Sequence, residues 1–298
     1  MLSVGKCVLI LCAAIAVRSY PMSETDVIFH LYTRTNPTVS QPLLSSIASI
    51  SMSSFSNNRK TIITIHSYDD DVTGNFNAFV VPAHLDTEDV NILAVDWRHG
   101  SFANSVGIAN VPQLGQLIAN FVNILINTFG YSPSLIRFVG LGLGAHAAGV
   151  ASRGINGVIP HIVAIDPSLI GWVFNSHKLN SDDATVVEVL HATAGVYGYD
   201  APLGTVDFYS NGGVVQAGCG SDPSCSHTLA YAYYAESIRA SANNGQRFLG
   251  TACDNYSQAL ALACTGERDA FFGGTETKTG VSGVYIFLTN IRPPFARG

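Results

Sequence analysis

The chain has 298 residues, only 12% of them charged, about half the share of an ordinary soluble domain. A hydrophobic content of 47% with 28 glycines describes a core-rich globular chain and excludes a disordered one. The net charge of −6, with no long basic run, argues against a nucleic-acid partner.

Residues 1–19 read as a secretory signal peptide. Lys6 precedes the apolar run Cys7 to Val17, and Val17-Arg18-Ser19 supplies a cleavage site. That run is too short for a membrane span of about 20 residues, so no transmembrane segment is expected. Residues 20–298 are then one domain, and the protein is secreted. Short β-rich apolar runs at Val27-Ile28-Phe29, Thr61 to Ile65 and Val90 to Val95 predict buried strands. A helix follows, with Val111, Leu114, Leu117, Ile118, Phe121, Val122, Leu125, Ile126 and Phe129 on one face and Gly130 ending it. Ile136 to Val139 predicts another strand, running into the turn Gly140–Gly144 and a small-residue helix from Ala145 to Gly149. Strands at Val158 to Ile165 and Val186 to Leu190, a helix from Ser226 to Ala240 and a strand from Val281 to Leu288 complete the series. Strands alternating with helices imply an α/β fold, its mostly parallel sheet covered on both faces.

Four cysteines remain beyond the signal segment: Cys219, Cys225, Cys253 and Cys264. An even number in a secreted chain suggests two disulfides. Three connectivities are open, and Cys219–Cys225 with Cys253–Cys264 is favoured because short loops close at low entropic cost. Asn255-Tyr256-Ser257 is a glycosylation sequon, whereas Asn36-Pro37-Thr38 is blocked by its proline. Asp69-Asp70-Asp71 lacks the spacing of a calcium loop and reads as solvated.

The segment Ile136 to His146 has the context of a nucleophile elbow, a strand and tight turn leading into a small-residue helix, where G-x-S-x-G is expected. Here the three positions are Gly140, Gly142 and Gly144. This spacing does not match a dinucleotide fingerprint.

With these residues the chain resembles the pancreatic lipase family of secreted lipases and A-type phospholipases. The resemblance continues through Ala94-Val-Asp-Trp-Arg98, Ile165-Asp166-Pro167, Val187 to His191, Gly204 to Gly213 and Cys225-Ser-His227, over roughly residues 27–290. It implies an α/β-hydrolase fold, with Asp166 as the acid of the catalytic triad and His227 as the base. The backbone N–H groups of Tyr68 and Leu143 would form the oxyanion hole. Position 142 should carry the nucleophile and carries glycine, which has no attacking oxygen. The five residues between Cys219 and Cys225 are too few for a helical lid, and the family's C-terminal β-sandwich is not expected. Asp182-Asp183 stands where some members hold calcium, but its neighbours do not match, so neither metal nor cofactor is expected. By the same resemblance His66 opens the loop carrying Tyr68, while His146 and His191 read as structural and Trp97 as packing near the cleft. Closest in type are the catalytically inactive insect yolk polypeptides. The expected function is binding of lipid or another hydrophobic small molecule, or yolk-like storage. The rival expectation is an active extracellular lipase or A-type phospholipase.

Overall fold

The computed structural model describes residues 21–298, so the expected signal peptide lies outside the described residues. Eleven strands form one sheet: β1 (Ile28–Tyr32), β2 (Gln41–Leu43), β3 (Thr61–Ile65), β4 (Asn91–Asp96), β5 (Ile136–Leu141), β6 (His161–Ile165), β7 (Val186–His191), β8 (Val206–Ser210), β9 (Phe248–Cys253), β10 (Ala270–Phe272) and β11 (Gly283–Phe287). Their spatial order is β10-β9-β11-β8-β7-β6-β5-β3-β4-β1-β2. Pairing is parallel from β4 through β11, and β1, β2, β9 and β10 add antiparallel edges. No β-sandwich occurs among the described residues.

The central strands β3 to β8 are buried at every position because both faces of the sheet are covered. Ile63, Leu93, Phe138 and Ile162 point to one core, and their chain neighbours Ile62, Ile92, Val139 and Val163 to the other. The first core is closed by α4 (Asn104–Phe129) and α5 (Leu143–Gly154), the second by α2 (Asn75–Thr87) and α6 (Pro223–Ala242). Three short helices, α1 (Ile47–Ser51), α3 (Arg98–Ser101) and α7 (Tyr256–Leu260), lie in the connections.

Helix α4 begins seven residues before the apolar stripe at Val111 and runs through Pro112. Pro112 removes only its own N–H from the ladder, and the buried face from Gly107 to Leu125 holds the helix together. Gly130 ends it in the left-handed conformation (φ 66°, ψ 24°). Strand β6 starts later than the apolar pattern suggests, since Pro160 has no N–H for a ladder.

Register places the candidate site. Ile65 pairs with Gly140, and Leu141 pairs with Ile165. The ends of β3, β5 and β6 are therefore level, and Ser67, Gly142 and Asp166 emerge together at the carboxyl edge of the sheet. In open α/β sheets that edge is where ligands bind.

Candidate active site

Gly142 is the single residue between β5 and α5, with φ 54° and ψ −110°. This backbone conformation is costly for any residue with a Cβ. Its N–H donates to the Ile165 carbonyl at 3.0 Å. Gly144 is needed for a different reason: a Cβ there would collide with the Ile65 carbonyl, so only glycine lets α5 leave so close to β3.

Asp166 follows β6 directly, is fully buried and has φ 44°. One carboxylate oxygen accepts the N–H groups of Ala192 (2.8 Å) and Thr193 (2.9 Å). The other accepts the Thr193 hydroxyl at 2.5 Å and His227 Nδ1 at 2.7 Å. Burial pushes the carboxyl pKa up, but the hydrogen bonds and charge of His227, with Thr193 and Ala192, outweigh it and hold it below the ordinary value.

His227 projects from the first turns of α6, which Asp222 caps by accepting the Ser224 N–H at 2.8 Å. The carboxylate can only accept, so the proton between the two residues sits on His227 Nδ1. Nε2 is left as the nitrogen that meets the contents of the cleft, and the side chain is 23% exposed. Tyr197 meets the ring edge-on, with centroids 6.3 Å apart. The cleft in front of it has a volume of about 350 Å³. Its polar centre is Ser67, Ser168 and His227, and Tyr68, Leu141, Ile170 and Tyr231 add apolar surface. Nε2 can take a proton from a hydroxyl or a water, but position 142 offers no hydroxyl.

Residues that the sequence left aside shape this centre. The Leu143 N–H, an orphan donor at the start of α5, donates to Ser67 Oγ at 3.3 Å. The Ser67 carbonyl accepts from His66 Nδ1 at 2.7 Å, and the Ser168 carbonyl from His146 Nε2 at 2.8 Å. His146 is stacked on Trp172 at 3.9 Å, and its Nδ1 accepts the Leu179 N–H. His191 bonds the Tyr199 carbonyl and Asp207. All three histidines are buried. Trp97 is fully buried and donates its Nε1–H to the His66 carbonyl at 3.1 Å. The available signal for Ser67 was its place between His66 and Tyr68, straight after β3. Ser168 and Thr193 had no sequence signal of their own.

The remaining positions are placed as follows. Cys219 is bridged to Cys225 and Cys253 to Cys264, with Cα separations of 5.5 and 4.7 Å. Asn255 is exposed and caps α7, accepting the Gln258 N–H through Oδ1. Asp183 is paired with the Arg153 guanidinium at 2.7 Å. Asp71 accepts from Thr73 and pairs with Arg98. Among the described residues no cluster of His, Cys, Asp and Glu is arranged to hold a metal ion. No helix among them is long and apolar enough to cross a membrane.

A family model described as lipase matches residues 8–291. Human pancreatic triacylglycerol lipase is 34% identical over 273 residues, covering 82% of this chain and 58% of the relative. The pig protein of the same name is 31% identical over 92% of this chain and 68% of its own. Pancreatic lipase-related protein 2 of Cavia porcellus is 31% identical over 79% of this chain and 56% of its own. The chain thus spans a little over half the length of most of these curated relatives. With the match extending over almost all of its sequence, this chain belongs to the lipase family.

Proposed function

We propose that this protein holds an acyl-bearing lipid or a similar hydrophobic small molecule in its cleft without hydrolysing it, as a carrier or a yolk-like store. The observation that carries the reading is Gly142 at the apex of the elbow. Covalent catalysis by this fold needs an oxygen there, next to a base. The reading is supported by His227, an imidazole oriented by the buried Asp166 carboxylate, standing near a residue 142 that carries no oxygen on a side chain. Tyr68, Ile170, Tyr197 and Tyr231 give the cleft wall apolar surface for a chain of methylenes. The two disulfides support a route through an oxidising compartment, as expected for a secreted protein.

Two experiments test this together. Lipid extraction of the protein purified from its native source should release a stoichiometric hydrophobic ligand. Esterase assays on short-chain esters, triglyceride and phospholipid should show no turnover above a heat-denatured control. The retained Asp166–His227 pair favours one rival, hydrolysis by a water activated at His227. Turnover abolished by His227→Ala would establish that rival and overturn the binding role.

A further inference from the structure

We infer that Ser67 is a second and independent block on covalent chemistry, filling the space of the missing side chain and occupying the amide that would bind a substrate oxygen. The inference rests on reading the cleft as a remnant hydrolase site. A Cβ built on Gly142 runs into Ser67 Oγ and lies 3.1 Å from Ser67 Cβ and 3.3 Å from Ser168 Oγ. Rotating the Ser67 hydroxyl away would relieve the first contact but leave its Cβ in place. Neither jaw can easily retreat. The buried His66 holds the Ser67 carbonyl, and the buried His146 holds the Ser168 carbonyl. Ser67 Oγ also accepts the Leu143 N–H at 3.3 Å. That amide has no partner within α5, so in the absence of the hydroxyl it would point into the cleft. Ser67 and Gly142 are therefore a matched pair: the hydroxyl at 67 fits because position 142 has no side chain.

The consequence is that Gly142→Ser alone does not rebuild the site, whereas Ser67→Gly together with Gly142→Ser does. A fluorophosphonate provides the readout. The hydroxyl at position 142 attacks phosphorus, a P–O bond forms as the P–F bond breaks, fluoride departs, and the hydroxyl proton passes to His227 Nε2. We expect peptide mapping to find the label at position 142 in the double variant, formed at least tenfold faster than in Gly142→Ser alone. Equal labelling of the single and double variants would overturn the inference, as would a folded double variant that stays unlabelled. Label on Ser67 in the unaltered protein would overturn it too, by making that hydroxyl a nucleophile and not a plug. Thermal melting supplies a readout independent of chemistry. Gly142→Ser should lower the melting temperature less in the Ser67→Gly background than in the unaltered one. A loss equal or greater there, including a double variant that fails to fold while the single one folds, counts against the inference. These outcomes are separable from those of the preceding proposal, which is decided by ligand content and ester turnover of the unaltered protein.

Discussion

The Asp166 carboxylate receives the His227 Nδ1–H at 2.7 Å while three further donors, from Ala192 and Thr193, fix its orientation from behind. The imidazole is thereby held in one tautomer, although position 142 offers nothing to deprotonate. So many donors on one buried carboxylate give it a stabilising part apart from any chemistry. Asp166→Asn should remove an acceptor for charge-assisted hydrogen bonds and cost about 1.5–3 kcal/mol, read by urea denaturation. Because the folded pKa is lowered, this stabilisation is present above the unfolded carboxyl value near 4 and is lost as pH falls through the folded value. A variant as stable as the parent at pH 7 would show that the network stabilises nothing.

Acid sensitivity should begin well above the carboxylate range. Burial pushes the pKa of His146 down to about 3 and that of His161 down to about 4. The unfolded chain then binds protons at these histidines, from near pH 6.5 downward, that the folded chain does not. Stability is therefore full above about pH 6.5 and declines as pH falls toward the folded values, by on the order of 1 kcal/mol per pH unit for each group. Denaturation midpoints measured from pH 7 to 5 should fall, and His146→Gln should flatten that slope. A slope unchanged by the substitution would exclude His146 as a source.

At the opposite end of the sheet, Glu188 is buried and accepts from Lys278 Nζ at 2.7 Å, Gly273 N at 2.7 Å and His161 Nε2 at 3.2 Å. Burial alone would raise its pKa, but Lys278 and His161 push it down to about 2. Glu188→Gln leaves the Lys278 ammonium buried without its counter-charge. The expected loss is about 3–5 kcal/mol, with the segment around residues 273–278 becoming susceptible to limited proteolysis. An intact segment and an unchanged denaturation midpoint would contradict this.

Gly142→Ala isolates backbone strain and crowding from any chemistry. With φ 54° and a Cβ meeting Ser67, the variant should be destabilised by roughly 1–3 kcal/mol for strain, with the collision adding to it. Calorimetry of the two proteins side by side would show it, and an unchanged melting temperature would mean that the turn relaxes freely.

Much of the scaffold was determined by sequence alone, because a parallel sheet covered on both faces favours near-continuous apolar runs. The runs at Thr61 to Ile65, Val90 to Val95 and Val186 to Leu190 are strands within a residue or so of their predicted ends. The stripe from Val111 to Phe129 and its glycine stop identify most of α4. The elbow, Asp166 and His227 were legible because each stands beside a strand end or a half-cystine in a recognisable string. Helix α2 was not. Its buried residues include Asn77 and His84 and it contains Pro82, so its pattern has no clean apolar face, and packing against α6 sustains it.

What only the tertiary structure decided is the set of contacts across the elbow. Ser67 reaches an amide seventy-six positions away in sequence, and Thr193 reaches Asp166 from the loop that follows the next strand, β7. Neither relation has a local signature, because a serine or threonine after a strand is compatible with many loops. They follow from the level ends of β3, β5 and β6, which bring separate loops within hydrogen-bond range of one another. Sequence alone showed that the apex of the turn between β5 and α5 holds glycine. The fold shows that the Ser67 hydroxyl stands where a Cβ at position 142 would fall, a contact that exists only once β3 and β5 lie side by side.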